Sequence, residues 1–126
     1  MDKVVHFEIC VDDVNKARDF YSEMFGWKIN QVSDMPPYYM ITTVEADEKY
    51  VPKEPGAING GMMPRSSPNE SSIVVVNVSS IDDSLTRTVE LGGKVVIPKL
   101  DIGRFGYYAR ISDLDGNIVG LWENKN

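Results

Sequence analysis

Stretches of period two and stretches of helical period follow one another along this chain, and they do so twice in the same order. Val4 to Val11 alternates, with Phe7, Ile9 and Val11 on one face and His6, Glu8 and Cys10 on the other, which predicts a strand with one apolar face. Asp13 is placed to cap a helix in which Ala17, Phe20, Tyr21 and Met24 recur at helical spacing, and Gly26 supplies a left-handed stop. Trp27 to Val32 reads as a second strand, Met35-Pro-Pro37 as a turn and Tyr38 to Val44 as a third strand. The polar, proline-bearing segment Glu45 to Pro55 predicts a mobile excursion that can serve as a lid. Gly56 to Met63 predicts a fourth strand crowded with glycine, and Arg65 to Ser72 has the composition of a connecting loop.

The second half repeats this order. Ile73 to Val78 predicts a strand, and Ser80, with Asp83 three residues on, predicts a capped helix start. Ile81, Leu85, Thr88 and Val89 form the expected buried stripe, and Gly92-Gly93 ends the helix. Lys94 to Ile97, Tyr107 to Ser112 and Asn117 to Glu123 read as strands, with a turn at Asp113 to Gly116.

The repetition extends to individual residues. His6 to Ile29 lies without a gap over Ile73 to Val96, so that Val11 meets Val78, Val14 meets Ile81, Glu23 meets Glu90 and Gly26 meets Gly93. Later on, Gly61-Met62 matches Gly120-Leu121, and Tyr38-Tyr39 is paired with Tyr107-Tyr108. Internal repeats fix architecture before local propensities do. The expectation is α+β: two tandem βαβββ modules in a single domain, with module one about 1–65, a linker about 66–72 and module two about 73–126. The space between the modules is the expected site.

Composition narrows the function classes. The chain has 126 residues, 42% hydrophobic and 25% charged, with a formal charge of -6. That balance argues against a broad nucleic-acid surface, which needs clustered Lys and Arg. No apolar run reaches the roughly 20 residues of a membrane span, and no secretory signal opens the sequence, so the expected location is cytoplasmic. Cys10 is the single cysteine, which leaves no partner for an internal disulfide.

Candidate chemistry gathers on a few positions. His6 is the only histidine, and Glu8 shares its face two residues on. An imidazole beside a carboxylate is a candidate acid/base pair, set against a hydrogen-bonded wall residue and a solvated carboxylate. Cys10 extends the same face, but His6 lies about 13 Å away by strand rise, so a small buried hydrophobe is the stronger reading. Asn77, Arg110 and Trp122 are candidate ligand-binding residues: Asn77 as the counterpart of Cys10, Arg110 as an anchor for an anion, and Trp122 as an aromatic on the Gly120 side. Which tyrosines face inward stays open. Gly61 and Gly120 are expected to leave open space for a ligand, since glycine within a strand often marks close approach.

The runs Ala17-Arg-Asp-Phe-Tyr-Ser-Glu-Met-Phe-Gly-Trp27 and Asp113-Leu-Asp-Gly-Asn117, with His6-Phe-Glu-Ile9 and Leu91-Gly-Gly93, resemble the glyoxalase/bleomycin-resistance/extradiol-dioxygenase superfamily, the vicinal oxygen chelate proteins. The resemblance implies a curved β-sheet cup with outer helices and a homodimer. It also implies four metal-ligand positions, which fall on His6, Ile73, Gly61 and Gly120 here. Only His6 carries a ligating side chain, so it is a vestigial metal candidate and a divalent metal is disfavoured as cofactor. The expected function is binding of a small organic molecule in the inter-module cleft. The alternatives are a metal-dependent lyase or isomerase of the lactoylglutathione lyase type and a drug-sequestering resistance protein without catalysis. Any enzyme among these is lyase/isomerase or dioxygenase-like.

Overall fold

A computed structural model describes residues 1–125 of the chain. Its elements run β1 (Lys3–Val11), α1 (Val14–Phe25), β2 (Lys28–Asp34), β3 (Pro37–Thr42), β4 (Gly60–Pro64), β5 (Ser72–Asn77), α2 (Ile81–Glu90), β6 (Lys94–Asp101), β7 (Gly106–Ser112) and β8 (Ile118–Asn124). This is the α+β class with the βαβββ order twice over. The chain divides into two compact units: His6–Ser72, and Met1–Val5 with the chain from Ile73 onward.

In the first unit the strand order is β2-β3-β4-β1, with β1 parallel to β4 and the other neighbours antiparallel. The alternation of β1 puts Phe7, Ile9 and Val11 against a core of Ile29, Ile41 and Met62, which Val14, Ala17 and Tyr21 of α1 cover. The Asp13 side chain accepts from the Lys16 amide at 3.0 Å, and Gly26 ends α1 at φ 72°. Phe20 and Met24 share the helical spacing but not the burial: they are 57% and 60% exposed. A helix lying on a sheet buries one stripe, and here that stripe runs through Val14, Ala17 and Tyr21.

Two loops of this unit are internally bonded. In Glu45–Pro55 the Asp47 carboxylate accepts from the amides of Lys49 (2.8 Å) and Val51 (3.0 Å), and Ala46 bridges to Pro52. In the connecting loop, buried Glu70 accepts from the Ser66 amide (2.6 Å), the Ser66 hydroxyl (2.7 Å) and the Ser67 amide (3.1 Å). The Arg65 guanidinium donates to the Glu70 carbonyl and, at 3.0 Å, to Asp12.

In the second unit the order is β5-β8-β7-β6, with β5 parallel to β8. Its core is Val78, Ile81, Ala109 and Leu121, with Leu85, Tyr107 and Ile111 packed against it. Ser80 caps α2 through the Asp83 amide at 3.1 Å, as its sequence position predicts. Val89 departs from the expected stripe: it is 60% exposed, while Ile81, Leu85 and Thr88 face inward. The strand β6 continues past Ile97 to Asp101, its register against β7 slipping around Pro98. A proline is tolerated there because β6 is an edge strand and the irregularity takes up the missing amide.

Candidate functional site

The strand order of the first unit sets Glu8 and Met40 on either side of Gly61, as register partners in β1 and β3. Tyr38 stands two residues before Met40, so its side chain leaves the same face of β3 and leans across β4. The phenol lies directly over Gly61: a β-carbon added there would stand 1.8 Å from the Tyr38 hydroxyl oxygen and 2.2 Å from Cζ. The expected open space at Gly61 is therefore corrected. Glycine is required because an aromatic ring fills the position.

That phenol joins the two residues singled out on β1. Tyr38 Oη donates to Glu8 Oε2 at 3.1 Å, and His6 Nε2 lies 3.0 Å from Tyr38 Oη. Because the phenol proton is directed at Glu8, the imidazole Nε2–H is the donor to Tyr38. Glu8 is 4% exposed. His6 and Glu8 do form a group, but through a tyrosine rather than directly. Burial lowers the His6 pKa from its ordinary value, with Glu8 opposing the shift, so the ring is neutral near pH 7.

A testable pH dependence follows. A depressed histidine pKa means that the unfolded chain takes up a proton before the folded one does. Stability is full above the unfolded value of 6.5 and falls as pH drops through it toward the lower folded value. His6 is the only histidine, so His6→Gln should flatten denaturant midpoints measured just above and just below pH 6.5. Parallel profiles for the two proteins would reject this account.

The second unit carries the matching device. Arg110 is the register partner of Gly120, and Tyr108, two residues earlier on β7, leans over that glycine. A β-carbon on Gly120 would meet Tyr108 Oη and Val75 Cγ2, each at 3.0 Å. Arg110 is 5% exposed, and its Nε donates to Tyr108 Oη at 2.6 Å. Tyr38 thus corresponds to Tyr108, one residue out of step with the pairing read from the sequence. Tyr39 instead packs on the core beneath the Arg18 guanidinium, and Tyr107 lies under the Lys99 and Lys125 ammonium groups. Asn77 Nδ2 donates to the Trp122 carbonyl at 3.1 Å, and the Trp122 indole donates to Asn124 Oδ1 at 2.8 Å. Arg110 and Gly120 are thus brought together, and so are Asn77 and Trp122.

Cys10 is buried, with its thiol 3.5 Å from Met63 Sδ, the setting of a small packed hydrophobe. Glu123 faces away from the Gly120 side, accepting from the Ile81 amide at 2.7 Å. The residue that sequence reasoning left undecided is Tyr38. Its signal was a hairpin tyrosine two positions before the partner of a strand glycine, which only the register reveals.

The donor set does not fit a four-ligand ion. Among the described residues no group of three or more His, Cys, Asp or Glu side chains is placed to hold a metal. At Gly61 a carboxylate-bearing side chain would have to displace the Tyr38 ring, and at Gly120 it would press on Tyr108 and Val75. No described helix is long and apolar enough to cross a membrane.

Comparison with known proteins agrees with the fold. Residues 3–43 match the family described as bleomycin resistance protein-like N-terminal. A protein of Mycobacterium tuberculosis named as a candidate glyoxylase, CFP32, is 34% identical over 115 residues, covering 88% of this chain and 41% of the relative. The anthracycline biosynthesis protein DnrV of Streptomyces peucetius is 30% identical over 132 residues, covering 92% of this chain and 45% of the relative. The chain therefore spans less than half the length of the curated relatives it matches. Among solved structures, a variant of the Streptomyces coelicolor methylmalonyl-CoA epimerase in complex with 2-nitronate-propionyl-CoA superposes with a TM-score of 0.66 at 12% identity, covering 98% of each chain. The tandem βαβββ units, the matched N-terminal segment and these likenesses together support the glyoxalase/bleomycin-resistance/extradiol-dioxygenase superfamily, the vicinal oxygen chelate proteins, for this chain.

Proposed function

We propose that this chain binds a small organic molecule at the His6–Tyr38–Glu8 face of the first unit, without the four-ligand metal centre of its metal-dependent relatives. The observation that carries this reading is the Tyr38 phenol seated over Gly61, hydrogen-bonded to both His6 and Glu8. A phenol, an imidazole and a carboxylate on one face offer directional contacts to a polar organic group, and the buried Glu8 has its charge met by hydrogen bonding. The epimerase likeness supports an acyl thioester as one ligand class, and the anthracycline biosynthesis relative supports a polycyclic aromatic as another.

Sequestration of a cationic drug is the second reading, favoured by the bleomycin-resistance match and the formal charge of -6. A lyase of the lactoylglutathione type is the least supported, since it needs ligands at Gly61 and Gly120. Action as a cytoplasmic homodimer belongs to the same proposal. The open edges of β2 and β6 in their respective units favour self-association, and light scattering measures it.

The test combines metal analysis with ligand titration. Purified protein is analysed for Ni, Zn, Mn and Fe, then titrated with doxorubicin and with methylmalonyl-CoA. Saturable binding of either probe that Tyr38→Phe weakens about 10-fold, the worth of one well-made hydrogen bond, would support the reading. Near-stoichiometric metal that disappears in His6→Ala would overturn it and restore the lyase.

A further inference from the structure

The helix layers of the two units differ in a way that the repeat makes plain. In the first unit a continuous cluster of aromatic rings surrounds α1. Phe7 lies 5.8 Å from Trp27, Tyr21 stacks on Trp27 at 5.3 Å and 10°, Phe20 meets Tyr21 edge-on at 5.3 Å, and Phe25 stands 5.1 Å from Trp27. Phe7, Tyr21 and Trp27 pack on the core beneath the helix. The gapless overlay of the two halves puts Val74, Arg87, Thr88, Gly92 and Lys94 at the positions of Phe7, Phe20, Tyr21, Phe25 and Trp27. None of these is aromatic, so the second unit lacks the rings that fill the helix–sheet layer of the first.

In their place is an apolar groove of about 440 Å³ between α2 and the sheet of the second unit. Val76, Ile111 and Val119, from three neighbouring strands, form its floor, and Ser84 and Thr88 of α2 form its wall. All of them are only part-buried. The Ser84 hydroxyl donates to the Ser80 carbonyl and the Thr88 hydroxyl to the Ser84 carbonyl, each at 2.7 Å, so neither brings a free proton to the groove. At the mouth, Arg87 is held by Glu90 at 3.1 Å, whereas the Asp83 carboxylate takes part in no hydrogen bond or ion pair among the described residues. The volume lies within the roughly 300–1,000 Å³ of small-molecule sites.

We propose that this groove binds a neutral two-ring aromatic molecule carrying one O–H or N–H donor, of the naphthol or indole class. The rings take the place that Phe20 and Tyr21 hold in the first unit, whose counterparts Arg87 and Thr88 line the groove. The donor meets the Asp83 carboxylate at the mouth, a charge-assisted hydrogen bond. The apolar lining selects rings over sugars and phosphates, and the charge of Asp83 turns anions away. The groove lies wholly within the second unit, and the His6–Tyr38–Glu8 face lies within the first. The two sites share no residue.

The test is an NMR titration of the 15N-labelled chain with 2-naphthol. Saturable shifts are expected at the amides of Val76, Thr88 and Val119. Thr88→Tyr restores the residue type of the first unit and should weaken binding about 10-fold or more by filling the groove. Asp83→Asn should weaken it about 3-fold by removing the charge from the acceptor. Tyr38→Phe should leave the affinity unchanged. The proposal is overturned by the absence of saturable shifts, by shifts centred on β1 and β3, or by equal affinity in wild type and Thr88→Tyr. Groove amides that move with protein concentration before naphthol is added would overturn it too, since a second copy of the chain would then be the occupant. If Thr88→Tyr does not fold, the map of shifted amides and Asp83→Asn decide the matter. Ligand binding at the first unit is read from Tyr38→Phe with other probes, so either site can fail alone.

Discussion

Gly61→Ala is expected to destabilise the protein by roughly 2–5 kcal/mol, although it adds a single methyl group to a strand. The added carbon would stand 1.8 Å from the Tyr38 hydroxyl oxygen, 2.2 Å from Cζ and 2.8 Å from Cε1. A ring has no soft end to withdraw, so the whole side chain must rotate. Rotation breaks the hydrogen bonds to His6 and Glu8 and leaves the buried carboxylate without the phenol proton. The control is Tyr38→Ala, which removes the obstruction. In that background the cost of Gly61→Ala should fall below about 1 kcal/mol, so the two substitutions couple strongly. Urea midpoints of the four proteins measure this. Additive losses would mean that Tyr38 does not occupy the space over Gly61.

Ile81→Ala is expected to cost about 2–5 kcal/mol through lost burial and the cavity left behind. Ile81 is fully buried in the cluster with Val78, Ala109 and Leu121. The same truncation at Val89, on the same helix and 60% exposed, should stay within about 0.5 kcal/mol. The backbone contribution is similar in the two variants, since each replaces a β-branched residue with alanine in one helix. The difference therefore reports mainly the buried stripe. Comparable losses at the two sites, read from thermal or urea unfolding, would refute the assignment of that stripe.

The exposure of Val89, like that of Phe20 and Met24, shows where the chain could and could not be read in advance. Period two in β1 and the caps at Asp13 and Ser80 are local patterns, and the backbone obeys them. Helical spacing says that residues share a side of the helix, but the centre of the buried stripe depends on how the helix lies on its sheet. In α1 that stripe passes through Val14, Ala17 and Tyr21, leaving Phe20 and Met24 outside.

The candidate site was legible only in part for a related reason. His6 and Glu8 stand out by type and spacing, and both sit on one face as expected. Tyr38 could not be placed, because a strand boundary uncertain by one residue exchanges Tyr38 for Tyr39 on the inner face. The glycines pointed to a close approach without naming what approaches. Side-chain filling across β4 is a property of register between strands distant in sequence, and no local pattern carries it.

Glu123 has a bearing on how the chain is made. The first free amide of α2, at Ile81, waits 42 residues for its acceptor. At synthesis rates of about 5–20 residues per second, that is a delay of roughly 2–8 seconds. Through that interval α2 has its Ser80 cap but not the carboxylate at its N-terminal end. The first unit closes its β1–β4 pairing with residues no later than Pro64, so its sheet is complete before α2 begins. Nascent-chain folding should accordingly proceed in two separated steps, the second released by the emergence of Glu123.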